Sequence, residues 1–241
     1  MKSYIYPTAT STSRALIRYI IEQMDREPER IFYLAFSGGT TPSLMFDIWA
    51  HEFREETPWM RMRIFWVDER CVPINDSDSN YGTMSRLLLR EVGIPNEFVF
   101  PIQGACRYPA QEAKRYSELV FSTLPLHRGF PVFDIVLLGA GDDGHTSSIF
   151  PGQEHLLASL HPYEESLNPY NGQPRIAMTG CLLFNAKKIV FLITGKNKAN
   201  VVYDILKSGD TGPAAYVAHH AEDVDIFTDI DCFSDDSCLC F

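Results

Sequence analysis

The six cysteines of this 241-residue chain, at 71, 106, 181, 232, 238 and 240, include no Cys-x-x-C pair and no paired metal-ligand spacing. A disulfide scaffold and a structural zinc site are therefore not expected. No run approaches the roughly 18 uninterrupted apolar residues of a membrane span. The opening Met1-Lys2-Ser3-Tyr4-Ile5-Tyr6-Pro7 has no continuous apolar core, and Arg14 and Arg18 break the apolar stretch after it, so no secretory leader is expected. Basic residues are in deficit, 21 against 31 acids, for a net charge of −10. An acidic chain repels phosphate backbones and anionic lipid, which makes nucleic acid and membrane surfaces poor partners. A small anion is not excluded, because a local cluster of Arg and Lys can hold one whatever the global sign. The expectation is a cytoplasmic protein with reduced thiols, monomeric or weakly self-associating.

What is present is an ordinary globular composition, 45% apolar and 12% aromatic, enough to bury a large core. Leu16, Ile17, Ile20, Ile21 and Met24 share one face of a helix over 13–24. Ile31–Phe36 reads as a strand buried on both faces, and Pro42 suits the first position of a helix carrying Leu44, Met45, Ile48 and Trp49. A second strand over 63–67, a polar loop from Asp68 to Ser79 and a helix with Met84, Leu87 and Leu88 repeat the pattern. A helix over 110–124, strands over 133–138 and 188–193, and a helix over 196–207 continue it. Strands alternating with helices predict an α/β fold, a Rossmann-like and mostly parallel sheet with helices on both faces. Ligands then bind beyond the carboxyl ends of the strands, where the loops 37–41, 68–80, 139–152 and 194–198 would converge. One domain over 1–230 is expected.

Three segments could carry chemistry. In Ser37-Gly38-Gly39-Thr40-Thr41-Pro42, glycines and hydroxyls ahead of a helix can cradle a phosphate; a tight turn capped by Thr41 fits the segment equally well. It has neither the Walker lysine nor the dinucleotide fingerprint, so ATP and NAD lose support there. Asp68-Glu69-Arg70 follows a buried strand and is either a polar cluster at the sheet edge or a solvated loop; Asp78-Ser79-Asn80 also reads as a helix N-cap. Gly139-Ala-Gly-Asp-Asp-Gly-His-Thr-Ser-Ser148 holds His145 beside Asp142 and Asp143 at a glycine-rich strand exit, which suits a general base with a fixed tautomer. Arg70, Arg175 and Lys198 are the cations that could complete an anion grip. Ser147 and Ser148 lie outside any G-x-S-x-G elbow, so a serine hydrolase is a weak reading.

Taken in order, these segments resemble the glucosamine-6-phosphate isomerase/6-phosphogluconolactonase family, on its lactonase side. The likeness rests on Ser37–Pro42, Phe65–Pro73 with Asp78–Gly82, Phe133–Gly152, Arg175-Ile176, Leu183–Lys187 and Phe191–Lys198, and spans about residues 10–217. It implies hydrolysis of 6-phosphoglucono-1,5-lactone to 6-phosphogluconate without metal or organic cofactor. His145 is then the expected base and Asp143 its orienting carboxylate. Ser37, Gly38, Gly39, Thr40, Asp68, Glu69, Arg70, Asn80, Gly144, Arg175 and Lys198 are the expected substrate contacts. The related deaminases continue their Asp-Gly-His loop into Asn-Glu-Pro, where this chain has Phe150-Pro151-Gly152, so their extra carboxylate is missing. A non-catalytic sugar-phosphate sensor is the third reading, disfavoured because both His145 and its neighbouring carboxylate remain.

Charge is unevenly spread. Residues 221–241 hold seven acids and no Lys or Arg, leaving 24 acids against 21 bases in the first 220 residues. The acidity belongs mostly to one end. Residues 231–241 match nothing in the family pattern, and a frayed tail is expected there.

Overall fold

The computed structural model describes residues 1–207 and 209–232. The chain runs β1 (Lys2–Ile5), α1 (Ala9–Asp25), β2 (Phe32–Phe36), α2 (Thr40–Glu52), β3 (Met62–Trp66), β4 (Asp68–Arg70) and α3 (Asn80–Met84). A π-helical turn (Ser85–Leu89) leads into α4 (Arg90–Val92), then β5 (Val99–Phe100) and α5 (Pro109–Thr123). The hairpin of β6 (Leu126–His127) and β7 (Phe130–Pro131) precedes β8 (Ile135–Leu138), β9 (Tyr163–Leu167), β10 (Pro174–Met178) and α6 (Gly180–Leu183). Last come β11 (Ile189–Ile193), α7 (Ala199–Leu206), α8 (Pro213–His220) and β12 (Val224–Thr228).

Seven strands form one sheet in the order β1-β12-β11-β8-β2-β3-β5, every neighbouring pair parallel. All residues of β8, β11 and β12 are buried, which is why β8 and β11 read as unbroken apolar runs rather than alternating ones; β12 adds a buried Asp225, whose Oδ2 accepts from Tyr19 Oη at 2.8 Å and Lys188 Nζ at 3.1 Å. From β2 the chain steps outward through β3 to β5, then returns to β8 on the other flank of β2 and continues outward. The order therefore reverses between β2 and β8, and a crevice opens beyond their carboxyl ends. The loops after these two strands are the glycine-rich ones.

A second sheet of three antiparallel strands, β4-β10-β9, leans on the first. Val67 joins them: its N–H donates to Phe36 O at 3.0 Å, and its carbonyl accepts from Met178 N at 2.9 Å. The polar loop expected from Asp68 thus begins as a strand, because β10 arrives from far along the chain to pair with it.

Two other expectations need correction. Pro42 is not the first residue of α2; the helix begins at Thr40 with Gly39 as N-cap and no side-chain cap from Thr41. Proline is still tolerated, since its missing N–H would be among the helix's unpaired first donors. The helix expected from 196 opens with a 3-10 turn, Lys196–Lys198, before α7. Ser79, by contrast, caps α3 by accepting from Gly82 N at 2.9 Å. Of the segment expected to fray, residues 233–241 lie outside the described residues, while Cys232 is buried with its Sγ 3.7 Å from Ala199 O.

Candidate active site

The crevice is lined by Ser37 to Pro42, Asp68, Arg70, residues 139–141 and 145–148 of the loop after β8, Arg175, Thr194 and Lys198. Its floor comes from the large sheet and one wall from the small one.

The loop after β8 is wound tightly. Gly141 N–H donates to His145 O at 2.8 Å and Gly144 N–H to Gly141 O at 3.0 Å. A Cβ on Gly141 would lie 2.1 Å from His145 Nδ1 and 2.6 Å from Asp143 Oδ1, so only glycine leaves room for the imidazole there. Gly144, Ser147 and Ser148 all have φ between +53° and +78°, a region that side chains other than glycine enter only when other bonds hold them. Ser147 Oγ donates to Met178 O at 2.8 Å, Ser148 Oγ donates to Asp68, and Ser148 O accepts from Ser166 Oγ at 2.8 Å. Both serines are therefore fastened to the small sheet. The stretch 139–144 has the G-x-G-x-x-G spacing, yet no helix follows it, so the dinucleotide arrangement is absent here.

Asp143 Oδ1 lies 2.6 Å from His145 Nδ1 and accepts from the His145 backbone N–H at 3.1 Å. A carboxylate only accepts, so Nδ1 carries the proton and Nε2 keeps its lone pair. Burial pushes the Asp143 carboxyl up, but the hydrogen bond from Tyr170 and the charge and N–H bonds of His145 outweigh it and hold the carboxyl below its ordinary value. Phe150, buried, packs on the imidazole with ring centroids 4.5 Å apart.

Facing this dyad are two arginines. The β4/β10 register sets Arg70 directly opposite Arg175, an unfavourable pairing of like charges. Each has a buried Nε with no hydrogen-bond partner, and no carboxylate of the described residues forms a salt bridge with either. Burial, then the charge of Arg70, pull the Arg175 guanidinium below its ordinary value. Arg70 Nη1 donates to Asp78 O at 2.6 Å, which steadies one side of the pair. Opposite them the N-terminus of α2 presents first-turn N–H groups without a side-chain cap, a natural anion site.

The structure sorts the expected contacts. Ser37, Gly38, Gly39, Thr40, Asp68, Arg70, His145, Arg175 and Lys198 line the crevice; Asp143, Gly144, Glu69 and Asn80 stand behind it. Alternation along β4 explains Glu69: Asp68 and Arg70 share one face, and the residue between them points the other way. Glu69 is buried and accepts from the N–H groups of Arg70, Asn80 and Tyr81, each at 2.8 Å, and from Ser79 Oγ at 3.2 Å. Burial pushes its carboxyl up to about 7 against the pull of those N–H groups. It thereby clamps the start of α3, where Asn80 is pressed so close to Gly38 that a Cβ on that glycine would meet Asn80 Oδ1 at 1.9 Å. Lys198 is partly engaged already: its Nζ donates to Ala140 O at 2.9 Å and pairs with Asp142 Oδ1 at 2.6 Å. Sequence reasoning missed Tyr170, an exposed aromatic in a turn, whose hydroxyl reaches Asp143 Oδ2 at 2.7 Å. Among the described residues no group of three or more His, Cys, Asp or Glu could hold a metal ion, and no helix is long and apolar enough to cross a membrane.

Comparison with known proteins fits this arrangement. Residues 7–226 match the family model described as glucosamine-6-phosphate isomerases/6-phosphogluconolactonase. The 6-phosphogluconolactonase of Treponema pallidum is 39% identical over 92% of this chain and 89% of its own length. That of Haemophilus influenzae is 38% identical over 78% of each chain. The solved 6-phosphogluconolactonase of Trypanosoma brucei superposes with a TM-score of 0.82 at 28% identity, covering 94% of this chain and 95% of that one. The chain belongs to the glucosamine-6-phosphate isomerase/6-phosphogluconolactonase family.

Proposed function

We propose that this chain hydrolyses 6-phosphoglucono-1,5-lactone to 6-phosphogluconate, the lactone-opening step of the oxidative pentose phosphate pathway. One observation carries the reading: a single crevice sets an arginine pair that no carboxylate of the described residues bridges against an imidazole whose Nδ1 is engaged by Asp143, leaving Nε2 free to face substrate. The arginines, with the Ser37–Thr40 backbone and the α2 N-terminus, suit the phosphate and hydroxyls of a sugar phosphate. His145 Nε2 takes a proton from water as the water oxygen attacks the lactone carbonyl. The charge that develops on the carbonyl oxygen is met by the cations and N–H groups around the crevice. When the tetrahedral species collapses, the bond from the carbonyl carbon to the ring oxygen breaks, and the imidazolium returns its proton to that oxygen. Lactone and water become hydroxy acid, with nothing else consumed.

The further carboxylate of a deaminase loop is missing from Phe150-Pro151-Gly152, and Phe150 is instead buried against the imidazole. The deciding experiment follows acid release from freshly generated lactone and ammonia release from glucosamine 6-phosphate. Acid from the first alone, with His145→Ala reducing turnover by roughly 10²–10⁴, is the expected result. Ammonia from the second would install the deaminase, and near-normal lactone turnover by His145→Ala would remove the base assignment. A raised melting temperature with either sugar phosphate but no turnover would leave a sensor. A cytoplasmic location, with the thiols reduced, accords with this substrate.

A further inference from the structure

The turn between β9 and β10 is densely hydrogen-bonded for its position on the surface. Asn168 Oδ1 accepts from Tyr170 N at 2.9 Å, Asn171 Oδ1 from Gln173 N at 3.0 Å, and Asn168 O from Gly172 N at 2.9 Å. Gly172 takes the positive φ of 69° that closes such a turn. At the tip stands Tyr170, 70% exposed, so burial does not account for its placement. Its hydroxyl leaves the small sheet altogether and donates to Asp143 on the loop after β8. Its ring lies edge-on to Phe150 at 6.3 Å, and Phe150 in turn packs on His145.

We propose that Tyr170 is a positioning residue for the hydrolytic dyad, holding Asp143 Oδ2 so that Oδ1 stays aimed at His145 Nδ1. The inference rests on His145 as the base. A carboxylate can rotate about its last torsion, and Asp143 is not walled in; its two bonds to His145 both fall on Oδ1. A donor on the second oxygen, from an independent element, removes that freedom. Titratable groups around the carboxylate are His145, Tyr170, Asp142 with its partner Lys198, and Asp204 of α7, which borders a small cleft with Asp142 and Asp143. Of these, Tyr170 and His145 are the two that hydrogen-bond to it. Loss of the phenol would let Asp143 draw the imidazolium proton more strongly, while the dyad would hold its productive geometry for less of the time.

The test compares Tyr170→Phe, which keeps the ring, with the parent chain and His145→Ala. Lactone hydrolysis is followed across pH, and the His145 ring nitrogens are titrated by NMR. In Tyr170→Phe, kcat should fall about three- to tenfold, as for one lost hydrogen bond, with KM within about twofold. The acid limb of the pH profile should move to higher pH, a change that loss of packing alone would not produce. An unmoved limb with kcat within about twofold of the parent overturns the proposal. If His145→Ala keeps its turnover, the base assignment fails by itself, and the NMR titration then judges Tyr170 alone. A raised midpoint in Tyr170→Phe upholds the contact, and an unchanged one overturns it.

Discussion

In the large sheet β8, β11 and β12 are buried throughout, whereas the small sheet exposes Glu165, Leu167 and Pro174 and sets two arginines against each other. The first arrangement maximises burial and, in these strands, admits a charge only where partners meet it, as at Asp225 of β12 beside Tyr19 and Lys188. The second gives up packing and places charge within the strands themselves. Both meet at one crevice, so on the proposed function stability and anion affinity would be drawn from different parts of the molecule.

That division can be broken by substitution. The largest effect is expected in the large sheet: Phe191→Ala, at a fully buried site on β11, should cost about 3–5 kcal/mol of stability in urea denaturation. A loss below about 1 kcal/mol would mean the core lies elsewhere. Next is the loop after β8, where Gly141→Ala puts a methyl group on the imidazole. Turnover should fall by roughly 10² while the melting temperature moves little; unchanged turnover would contradict the described position of His145. In the small sheet, Arg175→Ala should raise KM by about 10- to 100-fold, as for a lost charge-assisted bond. Its melting temperature should hold or rise, because the repulsion from Arg70 is relieved. A destabilised variant with normal KM would reverse the roles assigned to the two sheets.

At Glu69 the expected effect is on a slope rather than a level. Its carboxyl, ordinarily near 4.5, is pushed up to about 7 by burial. Between those values the folded chain keeps a proton that the unfolded chain has released, so this group makes stability fall as pH rises through that window. Glu69→Gln removes the titration and should flatten the slope, read as the difference in denaturation midpoint between the two chains from about pH 5 to 8. Parallel profiles would assign the pH dependence to other groups.

The two sheets also differ in what their residues disclose. Runs such as Ile189–Ile193 announce a doubly covered strand, and the glycines at 38, 141 and 144 announce loops, because each signal lies within a few consecutive residues. Asp68-Glu69-Arg70 announces nothing of the kind. Three charged residues become a strand only because Arg175, Ile176 and Ala177 come to lie alongside them, and no local window contains that partner. Knowing that the segment is extended would have separated Asp68 and Arg70 from Glu69 by alternation alone. Tyr170 was hidden for the same reason: its meaning depends on a loop met only after folding.

The β4–β10 pairing joins segments about a hundred residues apart in the chain, so the arginine wall exists only once a distant segment has docked. A chain still being synthesised carries Arg70 long before Arg175 exists to oppose it. Until β10 docks, the two guanidinium groups are not set side by side. Inorganic phosphate or substrate should accordingly slow unfolding and leave the refolding rate nearly untouched, acting as a latch on the finished molecule and not as a template for its formation.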